Sequence, residues 1–144
     1  MINSQHIAAA CQEHLVGANL HACNFFVRDV TAALGAIDFN HLDVMANVQI
    51  DRLRTAPNWQ EIGHGDDGAR AALIRANAGE LVVAGWKNPI GHGHVAIAVW
   101  GTAINGWPHG YWGRLDGAPG FNSGLRNTFG TEKRPSTVFF ARPL

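Results

Sequence analysis

The stretch "GELVVAGWKNPIGHGHVAIAVWG", residues 79–101, decides the fold. Leu81–Ala84 and Val95–Val99 are short apolar runs, and a polar segment carrying Pro89, Gly91 and Gly93 separates them. Runs of that length between such breakers read as two strands joined by a wide loop. The pattern continues to the end of the chain. "GYWGRLDG" at 110–117 and "STVFFARP" at 136–143 are again apolar or aromatic runs, and "NGWPHG" ahead of the first is turn chemistry. Antiparallel strands are expected throughout this half.

Upstream the period is helical. Residues 4–16 place Ile7, Ala8, Cys11 and Leu15 at helical spacing behind Ser4 as a cap, with Gly17 as the stop. Residues 23–34 repeat the arrangement, with Phe26, Val27, Val30, Ala33 and Leu34 on one face and Gly35 beyond. A third helix is expected over about 41–54, from Leu42, Met45, Val48, Ile50 and Leu53, ending ahead of Pro57. A fourth, over about 67–77, has an acidic first turn and Gly79 past its end. No repeat or linker interrupts the chain, so residues 1–144 read as a single α+β domain, a helical half packed on a small antiparallel sheet.

Composition narrows the function. Of the 144 residues, 47% are apolar and 15% charged, enough to build a core that removes roughly two thirds of the unfolded surface from water. Eleven basic and eleven acidic side chains cancel, so no electrostatic footprint points to nucleic acid or to an anionic membrane surface. The opening "MINSQHIAAACQEHLVGANL" lacks the cationic segment and continuous apolar core of a signal peptide, and no apolar run is long enough to span a bilayer. Synthesis in the cytoplasm without membrane insertion is expected.

Cys11 and Cys23 are the only cysteines, too few for a disulfide framework, although a single bridge between them stays open. Cys11 lies in an alanine-rich helical pattern and reads as core. Cys23 is different, because it opens a helix, where the dipole favours a thiolate. His94 stands at the start of "HVAIAV", on the same face as Ala96 and Ala98, where a rigid strand can hold its ring against that helix end. A thiolate that attacks an amide carbonyl, backbone N–H groups that stabilise the oxyanion, and an imidazole that protonates the leaving amine are the parts of a cysteine peptidase.

Bland readings stand beside this one. A cysteine at a helix start is more often structural, and a histidine at a strand end is more often a surface residue. Gly91 and Gly93 shift the balance by clearing side chains from the backbone ahead of His94. His92 competes for the role of base but precedes the apolar run and belongs to the loop. Zinc is not expected, because "HGH" supplies only two ligands with no partner at a recognised spacing. The other histidines, His6, His14, His21, His41, His64 and His109, are scattered through polar segments.

"CNFFVRDVTAALGA", followed by "GELVVAGW", "GHGHVAIAVWG" and "GYWGRLDG" in that order, resembles the compact papain-like cysteine amidases of the NlpC and CHAP kind. It is closest to the peptidoglycan amidase effectors of bacterial type VI secretion systems. The resemblance runs from about Asn19 to the C-terminus. It implies a papain-like fold, Cys23 as nucleophile, His94 as general base, and no cofactor. Asn19 matches, more weakly, a polar residue that orients the loop or assists the oxyanion site. Tyr111 and Trp112 fall where the third strand brings a group against the histidine ring, and with Trp107 they are expected to wall the cleft. Two positions depart from the pattern. Asn24-Phe25 replace the Ser-Gly that follows the cysteine in many relatives, and the third strand offers no His, Asn or Gln to fix the imidazole. Asp116 is the nearest carboxylate, and a backbone carbonyl near Trp112 serves equally well.

The function implied is hydrolysis of amide bonds in peptidoglycan stem peptides, by resemblance the D-glutamyl–meso-diaminopimelate bond. The enzyme would act as an antibacterial effector in a target cell's periplasm after export by a dedicated secretion apparatus, with a cognate periplasmic immunity protein. The rival from another class is a non-catalytic peptidoglycan- or peptide-binding module, with Cys23 buried and "GWPHGYWG" gripping the ligand. Another papain-like activity, a thiol transferase or a protease acting on proteins, is the third reading.

Overall fold

The computed structural model describes residues 2–37, 39 and 45–144. Helix α1 spans Ile2–His14 and buries Ile7, Ala10 and Cys11. The chain turns through Gly17–His21 into α2, Cys23–Ala33, whose buried stripe is Phe26, Val27, Val30 and Thr31. Thr31 keeps its hydroxyl satisfied at 0% exposure by donating to the Val27 carbonyl at 2.9 Å. The third helix, α3, spans Ala46–Thr55, with Arg52 and Arg54 complementing the dipole in its last turn. The expected start at 41 and the expected core position Leu42 lie outside the described residues.

Strand β1, Gln60–His64, was not expected. Its residues are exposed or half-buried and carry no apolar alternation; pairing with the last strand makes it a strand. Helix α4 follows at once over Gly65–Asn77, with Asp66 and Asp67 in the first turn and Arg75 in the last. Then come β2, Leu81–Trp86; β3, His94–Ile104; β4, Trp107–Trp112; β5, Gly120–Gly124; and β6, Val138–Arg142. Among the described residues these strands form one antiparallel six-stranded sheet in the order β1-β6-β2-β3-β4-β5.

The helical half packs on the antiparallel sheet as expected, and it covers both faces of it. Helices α1 to α3 pack against Val83, Val95, Ile97, Val99 and Phe140, while α4 packs on the other face against Val82, Ala84, Ala96, Ala98 and Phe139. Strand β1 carries the chain past the sheet edge between the two layers. Small residues on both sides of the second interface, Ala69, Ala72 and Ala76 against Ala96 and Ala98, let α4 approach closely. Trp107 Nε1 donates to Asp66 Oδ1 at 2.8 Å, pinning the first turn of α4 to β4. Each fully buried Phe or Leu here contributes roughly 1.5–3 kcal/mol. The architecture is α+β, with both faces of β3 buried over Val95–Val99, next to the His94 on which the strand opens.

Candidate active site

Cys23 is the first residue of α2, and His94 is the first residue of β3. Both line one cleft of about 620 Å³, together with residues of the 86–93 loop, the 114–116 turn, Thr128 and Lys133. The hairpin explains where His94 stands. Register pairs it with Trp86 across β2 and β3, so its ring rises from the sheet face that holds Ala96 and Ala98, as the alternation predicts. Phe129 supports that ring from below, with centroids 5.1 Å apart and planes tilted by 57°.

The group that fixes the imidazole is Thr128, which no sequence pattern marked. Its Oγ1 lies 2.7 Å from His94 Nε2, across a sequence separation of 34 residues. Thr128 is 3% exposed and also receives Arg114 Nη1 on Oγ1 at 3.2 Å. A hydroxyl oxygen has two lone pairs, so it accepts from the guanidinium and from an Nε2–H at once. In the tautomer with the proton on Nε2, Nδ1 is the nitrogen able to act as a base.

Asp116, the expected orienter, lies elsewhere. Its side chain is 92% exposed and sits 3.8 Å from Arg114 Nε at the rim of the cleft. Tyr111 and Trp112 are not walls of the cleft either. Tyr111 is buried among the α1–α3 core, where its hydroxyl receives Gln12 Nε2 at 3.2 Å, while Trp112 and Trp107 are buried on the α4 side. What the "YWG" motif supplies is Gly113. A Cβ there would lie 2.0 Å from the Asn19 carbonyl oxygen, so only glycine lets β4 end against the turn that precedes Cys23. Arg114 N then donates to the Leu20 carbonyl at 3.0 Å.

Asn19 serves that same turn. Its Nδ2 donates to the His14 carbonyl at 3.0 Å and to Asp29 Oδ2 at 2.8 Å, tying the end of α1 to α2 rather than facing the cleft. His92 lines the cleft but belongs to its loop, as expected. Gly93 does not open a path for a substrate. A Cβ there would meet Asn47 Oδ1 at 2.3 Å, and Asn47 in turn donates to the Asn88 and Gly91 carbonyls at 2.8 and 3.1 Å, clamping the loop onto α3. Gln49 of α3, fully buried, donates Nε2 to the Asn24 carbonyl at 2.9 Å and braces the first turn of α2.

Electrostatics hold the resting pair neutral. Burial pushes the Cys23 thiol up; the backbone N–H groups of Val95, Asn24 and Cys23, with the charge of Arg114, pull the other way. Burial pushes His94 down to about 3, helped by the cations Arg114 and Lys133 and opposed by Asp116. Passing a proton from thiol to imidazole creates two opposite charges in one site, whose mutual attraction offsets part of the desolvation. Cys11 and Cys23 are both free, so the bridge left open from the sequence is not formed. Cys11 is fully buried, which pushes its thiol far above the ordinary range. Among the described residues no three of His, Cys, Asp and Glu come together as a metal site. No protein-family model matches the chain, and no curated protein matches it.

Proposed function

We propose that the chain is a papain-like cysteine amidase that hydrolyses amide bonds in peptidoglycan stem peptides, with D-glutamyl–meso-diaminopimelate as its bond. The observation that carries this reading is the presence of Cys23, at the head of α2, and His94, at the head of β3, in one cleft where Thr128 holds the imidazole at Nε2. His94 Nδ1 takes the thiol proton as Sγ attacks the carbonyl carbon. Charge then develops on the carbonyl oxygen, and the backbone N–H groups already directed at the sulfur from Asn24 and Val95 are suited to receive it. The imidazolium gives its proton to the leaving amine. Water, deprotonated by the same ring, hydrolyses the thioester to a carboxylic acid and restores the thiol.

The setting follows from the same resemblance. As an effector it would leave its cell through a type VI secretion apparatus, meet its substrate in a neighbour's periplasm, and be restrained in sister cells by an immunity protein. No described helix is long and apolar enough to cross a membrane.

A second reading, a non-catalytic peptide-binding module, is favoured by the neutral resting pair, since burial raises the thiol and lowers the imidazole. Purified sacculi separate the two. The amidase releases new amino and carboxyl ends from stem peptides with the wild type and none with Cys23→Ala. Binding to sacculi by both proteins, with no new ends from either, establishes the module instead.

A further inference from the structure

We propose that Lys133 reads a carboxylate on the substrate, so that the ligand of this cleft is an acidic peptide whose free carboxylate stands beside the scissile bond. The inference rests on the amidase reading for the word scissile, but the cation site is built independently of it.

The chain has two lysines, at 87 and 133. Lys87 Nζ is neutralised by Asp51 at 2.7 Å on the surface. Lys133 forms no ion pair with any carboxylate among the described residues; its Nζ lies over the Trp86 ring, 4.7 Å from the centroid, and its side chain lines the cleft. An aromatic face holds an ammonium in place without neutralising it. The other cleft cation, Arg114, is committed to Thr128 and to Asp116. Among the described residues that line the cleft, two cations stand against one carboxylate, a surplus of positive charge, and Lys133 is where it is available.

Its placement bears on the chemistry. Trp86 pairs directly with His94 in the β2–β3 register, so the ring that carries the ammonium neighbours His94, and the charge of Lys133 is one reason the imidazole resists protonation. A substrate carboxylate on Lys133 cancels that influence. The ring then accepts the thiol proton more readily when an acidic ligand is in place than when the cleft is empty. The glutamyl residue of a stem peptide supplies such a group, because one of its carboxyls forms the amide and the other stays ionised.

The test uses two stem tripeptides containing the D-glutamyl–meso-diaminopimelate bond, one with the free glutamyl carboxylate and one with that group as carboxamide. Wild type should prefer the carboxylate form by about 10- to 100-fold in kcat/KM, the range of a charge-assisted hydrogen bond. Lys133→Gln should erase the preference, and Lys133→Arg should restore part of it. Equal cleavage of both peptides by wild type, or a preference that survives in Lys133→Gln, overturns the assignment and leaves the amidase reading standing. If neither peptide is cut, calorimetric binding to wild type and Lys133→Gln decides. Tighter binding of the carboxylate form that vanishes in Lys133→Gln keeps the assignment while the amidase reading falls, and binding without such a difference overturns both.

Discussion

Replacing His94 with glutamine should make the protein more resistant to acid, even though it removes the proposed base. In the folded chain burial and the neighbouring cations Arg114 and Lys133 hold the imidazole down to about 3, against an ordinary value near 6.5. A group whose folded pKa is depressed contributes its stability above the unfolded pKa and loses it as pH falls toward the folded one. The window is therefore from about pH 6.5 down to about pH 3. At about 1.4 kcal/mol per pH unit, wild type loses about 5 kcal/mol across it from this group alone, and about 3 kcal/mol by pH 4.5. Glutamine does not titrate and still reaches the Thr128 hydroxyl. The assay is urea unfolding of both proteins at several pH values between 8 and 4. Every other titratable side chain is common to the two proteins, so the difference between them isolates position 94. It should be flat above about pH 7 and then move steadily in favour of His94→Gln, equivalent by pH 4.5 to several degrees in Tm. A difference that stays constant down to pH 4 refutes the reasoning, because the imidazole would then not be held neutral by its surroundings.

Cys23→Ala and His94→Ala should each lower turnover of stem peptides by orders of magnitude, and the double variant should be no worse than either, since both break the same step; His92→Ala should stay near wild type, and equal damage from it would displace His94 as base. Thr128→Val removes the hydroxyl shared by His94 and Arg114 and should cost about 10- to 100-fold in kcat with KM little changed, while Thr128→Ser recovers most of the rate, as measured by steady-state kinetics. Gly113→Ala drives a Cβ into the turn ahead of Cys23 and should lower Tm by several degrees in a thermal melt, an overpacking cost of about 1–3 kcal/mol. A melt unchanged by that substitution would show that the end of β4 does not bear on the turn.

The sequence carried the elements that make their own signal. Residues 79–101 are two antiparallel strands, and Cys23 opens a helix, because apolar periodicity and glycine boundaries act locally. Strand β1 was illegible because it owes its form to β6, more than seventy residues on, and not to its own pattern. The site divides in the same way. Cys23 and His94 were visible as residue types at element starts, whereas Thr128 sits in an irregular segment after β5 and acquires meaning only when the sheet brings it to the ring. Tyr111 and Trp112 misled for a physical reason. Aromatics in a strand read equally well as a binding wall or as core, and here the sheet has helices on both faces, so both directions are core.

Arg114 ties together the two sides of the cleft. Its backbone grips the turn ahead of the thiol and its side chain grips the residue that holds the imidazole, while the next two positions, Leu115 and Asp116, stand out in solvent. The corner at 115–116 is thus the exposed end of a connection that reaches both sides of the cleft, the Leu20 carbonyl ahead of Cys23 and the Thr128 hydroxyl at His94.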